Sequence, residues 1–284
     1  MIVEIGFGNG EYLEHLAKSR PGAIVVGIEV SQWCLAKAAR RALAGELCNV
    51  RLLLGDARHL LKLAFAPESV REIYMNFPCP WPKKRHAERR VARPEFADAI
   101  ARSTRNGGLF TLATDVDWYA EETKAVFDGD PRFRSGEIIR NPHREYLTKY
   151  ERKWREMGRE TYMLQVEKTG DAFEPDDREA SAEEPEAFAP LRGNIAESLR
   201  AISGDVVQGR DYRVIFRETF SADDGTALTM VISVDEGFEQ HYFLRFIPTE
   251  KGVRGKVDAV GHPYKTPGVR ASLRYAMEKL GAKF

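Results

Sequence analysis

The chain has 284 residues, 43% hydrophobic and 30% charged, with 43 basic and 43 acidic side chains. That length suits one large domain, or a medium domain plus a small one, and the balance describes a water-soluble fold with a real core. No apolar run approaches the ~18–20 residues that cross a bilayer and no signal-peptide pattern is present, which excludes a helical membrane protein. Cys34, Cys48 and Cys79 are an odd set without metal-ligand spacing, so a reducing cytoplasm, no disulfide framework and no metal are expected. A zero net charge hides a partition. Residues 171–190 hold eight acids and one base, between a 1–170 segment with 28 bases and 23 acids and a 191–284 segment with 14 and 12. Two mildly basic domains, 1–170 and 191–284, joined by an acidic linker over 171–190, are the expected organisation.

In chain order, "MIVEIGFG" reads as a short apolar strand ending in glycines. Because that core strand begins directly after Met1, an upstream segment stays an open expectation. "EYLEHLAKSR" has helical spacing, with Tyr12, Leu13, Leu16 and Ala17 on one face. "AIVVGIEV" is a buried strand, followed by a helix through "SQWCLAKAARRALAGEL" with Ser31 as its N-cap. "NVRLLLGDA", "REIYMNF" and "GGLFTLATD" supply three further strands, and "EFADAIARSTR" and "DWYAEETKAVF" two helices. Near-continuous apolar strands alternating with amphipathic helices predict an α/β fold, a Rossmann-like parallel sheet covered on both faces. Its ligands belong beyond the carboxyl ends of the strands.

The first strand ends in Gly6-Phe7-Gly8-Asn9-Gly10, preceded by Glu4, and position 11 is Glu rather than the glycine of a dinucleotide fingerprint. Glu29 ends the second strand, where a carboxylate can accept from two ribose hydroxyls. Asp56 follows the third strand, placed for an exocyclic adenine amine. Acids at successive strand ends would repel a pyrophosphate, so the pattern favours S-adenosylmethionine over an NAD site or a purely structural glycine turn.

The fourth strand runs into "NFPCPWPKKRHAERRV". Pro78 and Pro80 fix the backbone, while Phe77 and Trp81 can wall in a flat base or serve as ordinary rim aromatics. From Lys83 to Arg93 there are six basic residues and one acid, at the position where a nucleic acid's phosphates would arrive.

"EIGFGNGEYL", "GIEV", "GDA", "NFPCPWPKKRH", "ATD" and "TKYE" occur in the order and spacing of the bacterial tRNA (guanine-N7)-methyltransferases, and the resemblance runs from residue 1 to about 168. It implies a class I S-adenosylmethionine-dependent enzyme that methylates N7 of guanosine 46 in the tRNA variable loop. It implies cofactor contacts from Glu4, Gly6, Gly8, Gly10, Glu29, Asp56, Ala57 and the position of Cys79. Substrate contacts are implied for Lys83, Asp115, Thr148, Lys149, Tyr150 and Glu151, and a cytoplasmic monomer or homodimer is expected. One departure matters: where the family carries a catalytic aspartate this chain has Cys79. Guanine N7 has a free lone pair, so positioning suffices without a general base, and activity is expected to lean on Asp115 for the polar contact. Two other readings stay open, a methyltransferase with another substrate and a non-catalytic RNA-binding protein on the same fold.

After the acidic stretch, "ADDG" and "DEG" are turn signals between strands. "TPGVRASLRYAMEKLGAKF" reads as a helix starting near Pro267, with Val269, Leu273 and Met277 on one face. A small α+β domain of three or four antiparallel strands and one helix is predicted. Arg213, Arg217, Arg245, Arg254 and Lys256 are its candidate RNA contacts or an ordinary solvated face, and His262 lies in a Gly-His-Pro turn.

Overall fold

The computed structural model describes residues 1–83, 85, 90, 93–170, 186–190, 193–261 and 263–283. Lys84, Arg89, His262 and most of the expected linker, 171–185, lie outside the described residues. The chain divides into two units, Met1–Glu174 and Pro175–Phe284.

The first unit alternates β1 (Ile2–Ile5), α1 (Glu11–Ser19), β2 (Val25–Glu29), α2 (Gln32–Ala44), β3 (Val50–Leu54), α3 (Ala57–Leu63), β4 (Val70–Asn76), α4 (Pro94–Ser103), β5 (Thr104–Thr114) and α5 (Asp117–Asp128). Then come β6 (Phe133–Ser135), β7 (Ile139–Arg140), α6 (Lys149–Glu156) and β8 (Tyr162–Lys168). The sheet order is β3-β2-β1-β4-β5-β8-β6, with β7 also paired to β8. Strands β1 to β5 are parallel, whereas β8 runs antiparallel to β5, β6 and β7. An apolar run encodes burial but not direction, so this reversal is absent from the residue pattern.

Alternate rows of the sheet carry the two faces. Ile2, Val25 and Val50 form one cluster with Leu13, Leu16, Ala17 and Ala38 of α1 and α2. On the other face Phe110, in register with Ile73 and so with Val3, meets Phe96 of α4 and Phe127 of α5. Strand β1 pairs with β2 on one side and β4 on the other, so the chain reverses its winding there and opens a crevice beyond their carboxyl ends. Ser31 caps α2 as expected, accepting from the Cys34 amide. Helix α4 stops at Ser103, shorter than its spacing predicts, because Thr104 already pairs with Val70 in the sheet.

The second unit departs from expectation in size. It contains β9 (Glu186–Ala189), α7 (Ile195–Arg200), β10 (Val206–Gln208), β11 (Tyr212–Ser221), β12 (Ala227–Asp235), β13 (Phe238–Thr249), β14 (Gly252–Val257) and α8 (Pro267–Lys279). Among the described residues the antiparallel sheet has six strands, in the order β10-β11-β12-β13-β14-β9, and the unit has two helices rather than one. Residues 186–189, expected in the linker, instead form β9 against β14, burying Ala187 and Ala189. Such short strands have too little sequence signal and are held by their partners. Val269, Leu273 and Met277 are buried as the α8 spacing predicts. Arg245 pairs with Asp258 and Arg254 with Glu186, so two of the five candidate RNA-contacting cations are engaged within the unit.

Candidate active site

The crevice begins at the glycine turn. Gly6, Gly8 and Gly10 have φ of 69°, 56° and 78°, a left-handed region costly for side chains with a Cβ. A Cβ on Gly10 would meet Ala38 of α2 at 2.9 Å, so this glycine lets α1 and α2 close up. At Gly8 a Cβ would meet nothing within 4 Å, which leaves an open cradle above the turn.

Glu29, at the end of β2, ties that turn down. Its Oε2 accepts from the Gly8 amide at 3.1 Å, and its Oε1 from the Val30 and Ser31 amides at 2.9 and 3.1 Å. Three of the roughly four acceptor positions of a carboxylate are thereby used, leaving one for a ligand donor. Glu4 differs. It is fully buried; Oε1 accepts from Asn76 Nδ2 at 3.4 Å and Oε2 has no partner among the described residues. Burial pushes its carboxyl up to about 8, against the opposing pull of Asn76 and the Arg144 cation. A buried acid beside a glycine cradle gains its charge when a ligand cation arrives to pair with it.

Asp56 stands at the end of β3 as predicted, but it is engaged there. It caps α3 by accepting from the Arg58 amide at 2.9 Å and pairs with the Arg58 guanidinium at 2.5 Å. Burial works against the anion, yet the Arg58 hydrogen bonds hold the carboxyl below its usual range. Ala57 is buried as the first residue of α3.

The NFPCPW loop leaves β4 and is pinned at both ends. Phe77 and Trp81 adopt φ of 51° and 46°, each costing roughly 1 kcal/mol, so surrounding contacts must hold them. The Phe77 amide donates to the Ala113 carbonyl at 2.7 Å. The Trp81 carbonyl accepts from Arg90 Nε and Nη2 at 3.3 and 3.2 Å. Arg90 also grips Glu122 of α5 at 2.7 Å and lies 4.9 Å from the Trp118 ring centroid. It therefore braces the loop from inside the basic run. Arg93 pairs with Glu95, whereas Lys83 and Arg85 are exposed. Cys79, between the two prolines, is exposed with a free thiol.

The late motif divides by direction. Thr148 is the N-cap of α6 and accepts from the Glu151 amide at 3.2 Å, the first half of a capping box. Glu151 is completely buried and paired with Arg144 at 2.9 Å and Arg155 at 3.1 Å. Lys149 and Tyr150 point outward. Asp115, just after β5, faces Arg159 at 3.6 Å, and Arg159 stacks on Trp154. Sequence reasoning missed Arg144 and the Asn76 side chain, and counted Arg90 among the phosphate-facing cations rather than as a brace. The only local signal was the T-x-x-E capping pattern, with an arginine four residues ahead of its threonine. Among the described residues, no group of three or more His, Cys, Asp or Glu is placed to hold a metal ion, and no helix is long and apolar enough to cross a membrane.

A family model described as "Putative methyltransferase" matches residues 1–164. The fold and this match define a methyltransferase. A Thermotoga maritima tRNA (guanine-N(7)-)-methyltransferase is 36% identical, over 100% of this chain and 90% of the relative. One from Thermus thermophilus is 30% identical, over 99% of this chain and 89% of the relative. One from Nitrosococcus oceani is 37% identical but covers 60% of this chain and 72% of its own length. The chain belongs to the tRNA (guanine-N7)-methyltransferase family. The motif resemblance stops near residue 168, yet the first two alignments continue through the second unit, which is therefore shared with some relatives.

Proposed function

We infer that the protein transfers a methyl group from S-adenosylmethionine to N7 of a guanine in tRNA, guanosine 46 of the variable loop. The whole-length match to curated tRNA (guanine-N(7)-)-methyltransferases carries this reading, and the motif resemblance supplies the position. The residues present fit the cofactor. The unpartnered Glu4 Oε2 suits its ammonium, the open space at Gly8 its approach to the turn, and the spare acceptor position of Glu29 a ribose hydroxyl. When bound, S-adenosylmethionine supplies an electrophilic methyl on a sulfonium. The chain's own work is to present guanine N7 in line with it, which a braced loop does without a general base. The three free thiols are consistent with the expected cytoplasmic setting. Mass spectrometry of tRNA nucleosides and fragments, after incubation with the protein and S-adenosylmethionine, tests the whole reading. 7-Methylguanosine in the variable-loop fragment is expected, and its absence there overturns the assignment.

Lys83→Ala combined with Arg85→Ala is expected to weaken tRNA binding and to flatten its salt dependence by about two phosphate contacts. Binding titrations across a salt series measure this, and an unchanged slope assigns both cations to a solvated face. Cys79→Asp is expected to raise single-turnover methylation, because a carboxylate there stabilises the cationic 7-methylguanine as it forms. Cys79→Ser should change the rate little, since no bond to sulfur is needed. A collapse of activity in Cys79→Ser with intact cofactor binding would contradict this account.

A further inference from the structure

One planar cation connects three parts of the crevice. Arg144 lies between β7 and α6 with its side chain 8% exposed. Its Nη2 donates to Asn76 Oδ1 at 2.7 Å, across 68 residues, and its Nη1 donates to Glu151 Oε2 at 2.9 Å. Its guanidinium carbon is 5.3 Å from the centroid of Tyr12, the second residue of the helix that the glycine turn opens. Asn76 in turn donates to Glu4 Oε1 and is the residue from which the NFPCPW loop departs. The bland account is that Arg144 merely neutralises a buried glutamate. Arg155 already does that from the other side, bonding Glu151 Oε1 at 3.1 Å. Neutralisation therefore leaves the second prong of the Arg144 fork, the one on Asn76, without a purpose.

We propose that Arg144 is a positioning residue for methyl transfer, which holds Asn76 and the start of the NFPCPW loop against Glu4 while anchored on the buried Glu151. The proposal rests on the functional reading above. Arg144 acts through Asn76 and does not itself meet the reacting atoms. A guanidinium suits this task because its donors are fixed in a plane, so binding Glu151 sets the direction of the donor aimed at Asn76. A lysine offers a point charge without that geometry. The groups facing Glu4 are Asn76 on β4, Arg144 ahead of α6, Glu29 on β2 and Tyr12 on α1. Of these, the Arg144 cation favours the carboxylate and Glu29 opposes it.

The test uses the full chain with Arg144→Lys and Arg144→Gln. It reads single-turnover tRNA methylation at saturating substrates, tRNA affinity, thermal midpoint, and S-adenosylmethionine affinity by calorimetry from pH 6 to 9. Arg144→Lys is expected to fold and to bind S-adenosylmethionine and tRNA within about threefold of wild type, yet to methylate at least roughly tenfold more slowly, since charge is kept and the fork is lost. Arg144→Gln is expected to move the pH dependence of cofactor binding upward, whereas Arg144→Lys leaves it in place. A purely structural arginine would lower the midpoint without either signature. Wild-type methylation in Arg144→Lys, or an unmoved pH dependence in a folded Arg144→Gln, overturns the proposal; if Arg144→Gln does not fold, the Arg144→Lys rate decides. Wild-type protein that methylates no tRNA removes the functional reading and this proposal with it. Active wild type with unaffected variants removes this proposal alone.

Discussion

Glu4→Gln is expected to stabilise the ligand-free protein at pH 8–9 while weakening its hold on S-adenosylmethionine. Burial raises the Glu4 carboxyl from 4.5 to about 8. Between those values the folded chain keeps a proton that the unfolded chain has released, so stability falls as pH rises through the window and levels off above about 8. The full effect is on the order of 5 kcal/mol at most, each tenfold change in proton affinity being about 1.4 kcal/mol. Glutamine has no proton to lose and should abolish that slope. All four tryptophans, Trp33, Trp81, Trp118 and Trp154, lie in the first unit, so their fluorescence follows its unfolding alone. Urea titrations at pH 5, 7 and 9 measure the slope, and parallel pH profiles for the two proteins would refute the assignment. The cofactor's ammonium loses a charged acceptor in the variant, which should weaken binding by about 1.5–3 kcal/mol in calorimetry. A residue that makes the empty protein less stable and the occupied one tighter is expected of a binding site, where local strain persists because ligand contacts use it.

Glu151→Leu is expected to lower the stability of the first unit by about 3–5 kcal/mol and to abolish methylation. The substitution removes the carboxylate and strands Arg144, whose side chain is 8% exposed, while Arg155, at 40%, can turn to water. Uncompensated buried charge is the costly outcome, more than the loss of the pair itself. Adding Arg144→Met should therefore recover part of the stability, giving a strongly non-additive double-mutant cycle, without restoring activity. Tryptophan-monitored urea unfolding of the two single variants and the double variant measures this. A loss below about 1 kcal/mol in Glu151→Leu would show that the buried network contributes little.

What the residues alone determined lies mostly within a few positions of itself. Apolar strands, the glycine turn, the Ser31 cap and the Pro267 helix start are local signals, because helix and strand periods and backbone allowances act over one or two turns of chain. Glu29 and Asp56 were legible for the same reason, one as the last residue of β2 and the other two residues past β3, where the strands give way to turns. Their present partners were less so. Arg58, two residues from Asp56, was readable in principle, whereas the Gly8 amide on Glu29 comes from 21 residues away. The three-residue β6 and β10, and β9 at the end of the acidic stretch, exist only through pairing, and the antiparallel direction of β8, like any strand's direction and partner, leaves no mark in its own composition. Only the tertiary structure separated the members of the basic run, turning Arg90 inward to the Trp81 carbonyl and leaving Lys83 and Arg85 exposed. It alone brought Arg144 to Asn76 across 68 residues. The cause is that a guanidinium's partner is chosen by which carbonyl or carboxylate packing places within about 3 Å, a distance decided by the whole fold and not by neighbours in sequence.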